Sequence, residues 1–165
     1  MRIEQTVLNA SPLIVLFRAN LGNLLPKLFH EICIPGAVWD EVTGAGYRDE
    51  PVSGLLNAEW ARKLRVPEIS PRIASWDLGA GESEVLTFAL SHSGFRAMID
   101  DKAARRCAKA LGIQTLGTGG MLVIAKRRGV IGSVSTELEH LRRAGLWMSD
   151  ELVELLLTEA GEKKT

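Results

Sequence analysis

"AMIDDKAARR", residues 97–106, is the stretch that says most about how this chain folds. The apolar run at 97–99 is typical of a buried strand, and the residues after it, which include two arginines, favour a helix. Between the two stand the adjacent carboxylates Asp100 and Asp101. Neighbouring like charges repel, and each disfavours ionisation of the other. The pair therefore predicts either a helix N-terminus served by Asp100 as cap and Asp101 as first-turn acid, or a site that holds a cation.

Short apolar strands alternate with helical stretches along the rest of the chain. The pattern predicts five strands, at residues 7–8, 32–34, 64–66, 95–99 and 113–116. Ser11 is predicted to cap the first helix and Pro35 to open the second. Residues 44–54, with three glycines and a proline, are predicted to form a loop. This alternation indicates a mainly parallel sheet covered by helices, in one domain over 1–161 with a loose tail at 162–165.

Composition excludes several classes of protein. Lys plus Arg and Asp plus Glu balance at 20 each, so any nucleic-acid binding has to come from a local patch of positive charge. Cys33 and Cys107 lack the spacing of a zinc site or a redox pair, and we interpret them as buried thiols. No apolar run approaches the roughly 18 residues of a membrane span, and no signal-peptide pattern is seen. We expect a cytoplasmic protein that does not bind membranes.

Polar residues follow three of the predicted strands. Asn9 follows the first strand, the Asp100–Asp101 pair follows the fourth, and Gly117 and Thr118 follow the fifth. In open parallel sheets, ligands bind outside the carboxyl ends of the strands, at the point where the strand order reverses. We therefore expect these side chains to line one binding edge.

Glu82 is predicted to lie at the centre of an apolar helix face, because Val85 and Leu86 fall within about 60° of it at 100° per residue. Glu84 lies on the opposite side of the same helix. A carboxylate aimed at a core is costly unless a cation or hydrogen bonds meet it. The alternative is that Glu82, in the first turn, serves only the helix N-terminus.

Glu41 is predicted to flank the buried face of the helix after Pro35, about 60° from Val38. Its alternative is that of a surface acid at the rim of that helix. Together these positions predict one carboxamide and up to four carboxylates at one edge of the sheet, namely Asn9, Glu41, Glu82, Asp100 and Asp101. Oxygen ligands without His or Cys suit Mg²⁺ or Mn²⁺ and not zinc.

Five motifs occur in order along the chain: "VLNASPLIVL" (7–16), "IPGAVWDEV" (34–42), "LGAGESEVLTFAL" (78–90), "MIDDKAARRCAKALGI" (98–113) and "LGTGGMLVIAKRRGVI" (116–131). Through them the sequence resembles the PIN domain family, in its VapC-related bacterial and archaeal branch. The resemblance covers roughly residues 5–157. It implies a three-layer α/β/α fold with a mainly parallel central sheet, and metal-dependent cleavage of RNA, often by the toxin of a toxin–antitoxin pair.

Carried over by position, the resemblance assigns roles to individual residues. Asn9 stands where many members have their first aspartate, and Glu41 matches the helical glutamate. Glu82 matches the third acid, with Glu84 as a weaker candidate for that place. Asp101 matches the acid that ends the fourth strand. Asp100 lies beside it, and Thr118 lies near the last polar position of the site.

We predict Glu41, Glu82 and Asp101 as the principal metal ligands and catalytic residues, direct or through water. Asn9 is predicted to orient metal or water, and Asp100 to be a further ligand or to support one. Arg105 lies one turn after Asp101, at ion-pairing spacing, and is predicted to fix that carboxylate or to contact a phosphate.

The expected partners are an RNA substrate, a small antitoxin protein and a second copy of the chain, since the leucines of "ELVELLLTEA" face either the core or a dimer contact. The alternative function is a catalytically weakened module that binds nucleic acid or protein, which Asn9 favours. A phospho-acceptor protein is disfavoured, because the amide of Asn9 cannot form an acyl phosphate.

Overall fold

A five-stranded parallel sheet forms the centre of the molecule. The computed structural model describes residues 4–44 and 50–162. The strands are β1 (Gln5–Leu8), β2 (Glu31–Pro35), β3 (Ala61–Leu64), β4 (Phe95–Met98) and β5 (Thr115–Leu116). Their spatial order is β3-β2-β1-β4-β5, and every pair is parallel. With helices packed around this sheet, the predicted three-layer α/β/α fold is confirmed.

Ten helices are found within residues 4–44 and 50–162. They are α1 (Ala10–Arg18), α2 (Leu24–Leu28), α3 (Gly36–Gly44), α4 (Glu50–Leu56), α5 (Pro71–Ala74), α6 (Ala80–Ser91), α7 (Lys102–Ala110), α8 (Thr118–Arg127), α9 (Val134–Arg143) and α10 (Asp150–Glu159). In the part of the chain that the structure describes, none of them is long and apolar enough to cross a membrane.

The strand order reverses between β1 and β4. From β1 the chain adds β2 and β3 on one side, and it then returns to add β4 and β5 on the other side. Both central strands are buried: Val7, Leu8, Ala97 and Met98 have no exposed surface, as strands covered on both faces require. Because Leu8 pairs with Met98, the residues that follow β1 and β4 come out side by side at the carboxyl edge.

Several predicted boundaries were wrong, for local reasons. The cap of α1 is Asn9 and not Ser11, because Pro12 fits within the first turn, where its missing N–H leaves no hydrogen bond unmade. Pro35 ends β2 and does not open α3. Residues 50–56 form α4 where a loop was predicted, while residues 45–49 lie outside the described residues.

The third strand also lies earlier than predicted, at Ala61–Leu64. The apolar pattern of a strand is weak here because β3 is an edge strand, and its two middle residues, Arg62 and Lys63, are exposed. Charged side chains on an edge strand discourage pairing with other molecules, so this strand lacks the apolar run that marks the central ones.

Glu162, assigned from the sequence to a loose tail, is held by the start of α9. Its carboxylate accepts hydrogen bonds from the Val134 and Ser135 backbone N–H groups at 2.7 and 3.0 Å, and it pairs with Lys126 Nζ at 2.7 Å. Burial by itself raises the pKa of this carboxyl, but the Lys126 and backbone hydrogen bonds outweigh it and lower the pKa to about 2. Residues 163–165 lie outside the described residues.

We expect Glu162→Gln to lower the free energy of unfolding at pH 7 by on the order of 2 kcal/mol. Because the folded-state pKa lies below the ordinary value of 4.5, this stabilisation is complete above that value and is lost as the pH falls from 4.5 toward 2. Urea unfolding of both proteins at pH 7 and pH 3 measures it. A gap between the two proteins as wide at pH 3 as at pH 7 would contradict the ionic role of Glu162.

Candidate active site at the carboxyl edge of the sheet

Asn9 lies at the switch point between β1 and β4. Its backbone N–H donates to the Met98 carbonyl oxygen at 3.1 Å, which extends the β1–β4 pairing by one residue. Its side chain is only 5% exposed, and within the described part of the chain it makes no hydrogen bond, not even the usual cap to the first turn of α1. The carboxamide is therefore held in a nearly buried place with its polar atoms uncommitted.

Gly81 brings Asn9 and Glu41 together. A Cβ atom built on Gly81, in the first turn of α6, would lie 3.4 Å from Asn9 Oδ1 and 3.6 Å from Glu41 Oε1. It would also lie 3.3 Å from a methyl group of Val38, one turn before Glu41 on α3. The two oxygens thus face the same surface, where no side chain stands between them and the start of α6. The positive end of the α6 dipole favours negative charge at this point.

Glu41 is exposed, and its carboxylate makes no hydrogen bond or ion pair with the residues at 4–44 and 50–162. The adjoining face of α3 carries Val38 and Val42, both fully buried. Burial of this valine pair sets the rotation of α3 and leaves Glu41 at the border between core and solvent. An oxygen in this position is accessible to a bound ion without having to leave another partner.

Glu82 lies in the first turn of α6, where its carboxylate Oε2 accepts a hydrogen bond from the Gly79 backbone N–H at 3.0 Å. The side chain serves its own helix N-terminus, which is the alternative that the sequence had left open. Its other oxygen makes no hydrogen bond in the described structure. Glu84 turns elsewhere: its Oε1 accepts from the Ala37 N–H at 3.0 Å and ties α6 to the start of α3.

Asp101, and not Asp100, caps the next helix. Its Oδ2 accepts a hydrogen bond from the Ala104 N–H at 2.9 Å, at the start of α7. Asp100 instead crosses to α8, where its two oxygens accept from the backbone N–H and the hydroxyl of Thr118 at 2.8 and 2.6 Å. Thr118 is fully buried, so this pair of hydrogen bonds joins the ends of β4 and β5. Asp100 is thereby largely committed to structure, whereas Asp101 is exposed and keeps one oxygen free.

Arg105 does not fix Asp101 as expected. Its Nη1 donates to the Ile99 carbonyl oxygen at 3.0 Å. A Cβ atom built on Gly117 would lie 3.2 Å from that nitrogen and 3.3 Å from Asp100 Oδ1, so the guanidinium lies on the Asp100 side of the edge. Its positive charge offsets the negative charge of Asp100 and lowers the repulsion within the acid pair.

Two groups of side chains therefore lie along the carboxyl edge. Asn9 and Glu41 meet at Gly81, and Asp100 meets Thr118 and Arg105 near Gly117. Over the described ranges, no three His, Cys, Asp or Glu side chains come close enough to hold one ion. The oxygen-only donors still fit Mg²⁺ or Mn²⁺, because Mg²⁺ keeps several waters and takes only one or two carboxylates directly.

A protein-family model described as a PIN domain, DUF3368, matches residues 5–162, which is nearly the whole chain. The chain belongs to the PIN domain family. PIN domains are commonly nucleases and generally use divalent metals. No curated protein matches the chain.

Gly81 is the residue of this candidate site that the sequence did not single out. The motif "GAGE" placed a glycine in the first turn of a helix, where glycine is unfavourable by about 1 kcal/mol relative to alanine. A glycine that a helix tolerates at such a cost often marks a close approach by another group. Here the approaching groups are the Asn9 and Glu41 oxygens.

Proposed function

We propose that this PIN domain is a metal-dependent ribonuclease that hydrolyses phosphodiester bonds of RNA. The observation that carries the proposal is the meeting of Asn9 Oδ1 and Glu41 Oε1 at the Gly81 surface. It lies at the switch point of the sheet, where ligands of such folds bind. Both oxygens are free of other hydrogen-bond partners in the described structure, as an ion-binding pair requires.

Asn9 and Glu41 would hold a Mg²⁺ or Mn²⁺ ion, with the free oxygens of Glu82 and Asp101 contributing through bridging waters, because no three acidic side chains of the described residues come close enough to bind one ion together. When bound, the ion supplies a water of lowered pKa and positive charge for the phosphate. Glu41, Glu82 and Asp101 are the proposed catalytic residues. The chain directly before Asp101 is held in place by the hydrogen bonds of Arg105 to the Ile99 carbonyl and of Thr118 to Asp100. The hydrogen bonds that the Glu82 and Asp101 carboxylates accept from backbone N–H groups at the starts of α6 and α7 restrict the rotamers of both side chains before any ion arrives.

We further propose that the protein belongs to the VapC-related branch and acts as the toxin of a toxin–antitoxin pair. The order of the five motifs supports this. The α10 helix also offers a candidate surface for binding a second copy of the chain or an antitoxin. There Leu156 is buried, whereas Leu152 and Leu155 are 42% and 54% exposed, so the predicted leucine face divides between core and surface.

Incubation of the protein with labelled RNA in Mn²⁺, in Mg²⁺ and in EDTA tests the nuclease proposal. We expect cleavage with either metal and none in EDTA, because the chemistry needs the ion. A single-stranded DNA of the same sequence serves as the comparison substrate. Absence of cleavage in both metals, by a protein that is folded by circular dichroism, would contradict the proposal.

The second candidate function is that of a binding module. It is favoured by Asn9, which brings no charge to the ion, and by the separation of the acids into two groups. This candidate predicts that RNA or a protein binds equally well in EDTA and in Mn²⁺ and is never cut. The same incubation, followed by a binding measurement, separates the two functions.

A further inference from the structure

A groove leads from Glu41 toward the far end of α1. Its first part, of about 290 Å³, lies between α1 and the turn at 144–146, and Glu41 stands at its rim. A second part, of about 270 Å³, continues from it, and the two share Arg18 and Ala144. Glu41 of the candidate active site therefore borders two adjoining surface depressions, which together form the groove, and nothing in the proposed metal chemistry accounts for it.

The walls of the groove follow from helical spacing. On α1, four residues at intervals of three and four line one wall: Ser11, Ile14, Val15 and Arg18. This stripe starts next to Asn9 and rises about 10 Å along the helix. The opposite wall is the turn after α9, where Gly145 adopts a φ of +112° that glycine accommodates and that reverses the chain. The Leu146 N–H donates to the Leu141 carbonyl at 3.0 Å and fixes this turn.

Positive charge collects at the end of the groove away from Glu41. Two arginines, Arg18 and Arg143, line its second part beside His140. Arg143 meets Glu139 only at 3.4 Å, with both side chains more than half exposed, so this ion pair is weak and leaves most guanidinium donors available. In a chain with no net charge, such a local group of cations is what attracts a polyanion.

Trp147 is an exposed aromatic residue at the end of the turn that lines the groove. It directly follows Leu146, which lines the first part, and its side chain is 76% exposed, the most exposed of the large apolar residues in the described structure. An indole ring left in water forgoes the stabilisation that its burial would give. Proteins that bind single strands combine such aromatic rings, on which bases stack, with cations that track the phosphates.

We propose that this groove guides single-stranded RNA into the active site, with Arg18 and Arg143 contacting phosphates and Trp147 stacking on a base. The proposal rests on the proposed function for the identity of the strand. The groove reaches the Glu41 oxygen at one end and the cations at the other, as an extended strand with one phosphate at the metal requires.

The test is binding of a labelled single-stranded RNA of about 12 nucleotides to the whole protein in EDTA, so that no cleavage occurs. We expect Arg18→Gln and Arg143→Gln each to weaken binding and to reduce the slope of log K against log salt by about 0.7. Trp147→Ala is expected to weaken binding about 5- to 150-fold, whereas Trp147→Phe keeps most of the affinity, because it retains a stacking face. Lys109→Gln, which removes one exposed charge from α7, is the matched control and leaves binding unchanged.

If Arg143→Gln and Trp147→Ala bind RNA with the affinity and the salt slope of the wild-type protein, the groove proposal is wrong. It is also wrong if Lys109→Gln loses as much RNA affinity as these variants do. Absence of RNA binding by the wild-type protein, with the groove occupied instead by an acidic protein, would also overturn it. Arg143 is a surface residue, so its variant carries the test even if Arg18→Gln does not fold. Cleavage in Mn²⁺ is scored separately. A wild-type protein that cuts while these variants bind normally refutes only the groove, and one that binds through the groove without cutting refutes only the nuclease.

Discussion

Replacement of Glu41 by glutamine is expected to reduce Mn²⁺-dependent RNA cleavage by about 100-fold or more. The substitution keeps the shape of the side chain and removes one negative charge from the Gly81 surface. A unit charge at 4 Å contributes about 4 kcal/mol at an effective dielectric constant near 20, and about 100-fold corresponds to 2.7 kcal/mol of it after screening by solvent. Because Glu41 is exposed and unpaired in the described structure, the melting temperature in EDTA should not change.

The neighbouring acid provides the matched control. Asp40 is also exposed and also on α3, but it lines a different groove, beside Lys63 and Glu84. Asp40→Asn should therefore cleave RNA at the wild-type rate. Initial rates at several Mn²⁺ concentrations measure both variants. Equal losses of cleavage rate in the two variants would mean that cleavage depends on the overall charge of α3 and not on the Gly81 surface. An unchanged rate in Glu41→Gln would remove Glu41 from the proposed site.

Asn9→Asp is expected to destabilise the protein in EDTA but to strengthen metal binding and cleavage in Mn²⁺. In EDTA it places a carboxylate where the native side chain is 5% exposed and unpartnered in the described structure, at a cost of about 1–3 kcal/mol of unfolding free energy. That loss lowers the melting temperature by about 2–12 °C for a chain of this size. With Mn²⁺ the added charge meets the ion, so metal should bind more tightly and cleavage at limiting metal should rise.

Melting curves in EDTA and in Mn²⁺ measure the difference in stability between Asn9→Asp and the wild-type protein under each condition. Metal at 100 times its dissociation constant adds about 2.7 kcal/mol, so Mn²⁺ should restore more stability to Asn9→Asp than it gives to the wild-type protein. Asn57→Asp, which makes the same change at an exposed position, should respond to neither condition. If Asn9→Asp is as stable as the wild type in EDTA and indifferent to Mn²⁺, no ion binds at the switch point and the binding-module candidate gains.

Much of the edge could be predicted from the sequence because strand ends are marked by abrupt changes of polarity. The apolar runs before Asn9 and Asp100 contain the buried ends of β1 and β4, and a run of that kind has few alternatives to a central parallel strand. The edge strand β3 and the helix α4 could not be predicted as well. Exposed Arg62 and Lys63 conceal the strand, and a proline and a glycine within residues 50–56 conceal the helix.

Helix ends were the least predictable part of the site. The sequence left open whether Glu82 faces a cation or its own helix, since both need the same residue at the same place. The tertiary structure settles which atom it contacts now, Gly79 N–H, and likewise moves the cap of α7 from Asp100 to Asp101. A shift of the helix cap by one residue changes which of the two carboxylates is free to bind an ion. Local propensities do not predict the end of a helix to within a single residue.

The sequence by itself determined the parallel sheet, the edge that carries the polar residues and the oxygen-only chemistry available there, because each depends on residues close together in the chain. Only the tertiary structure decided which side chains meet. Asn9, Glu41 and Gly81 come from three separate segments, and they come together because burial of Val38 orients α3 and because a missing Cβ lets α6 approach. Packing between distant elements depends on shapes that no single segment encodes, so the meeting point of the site could be seen only in the folded chain.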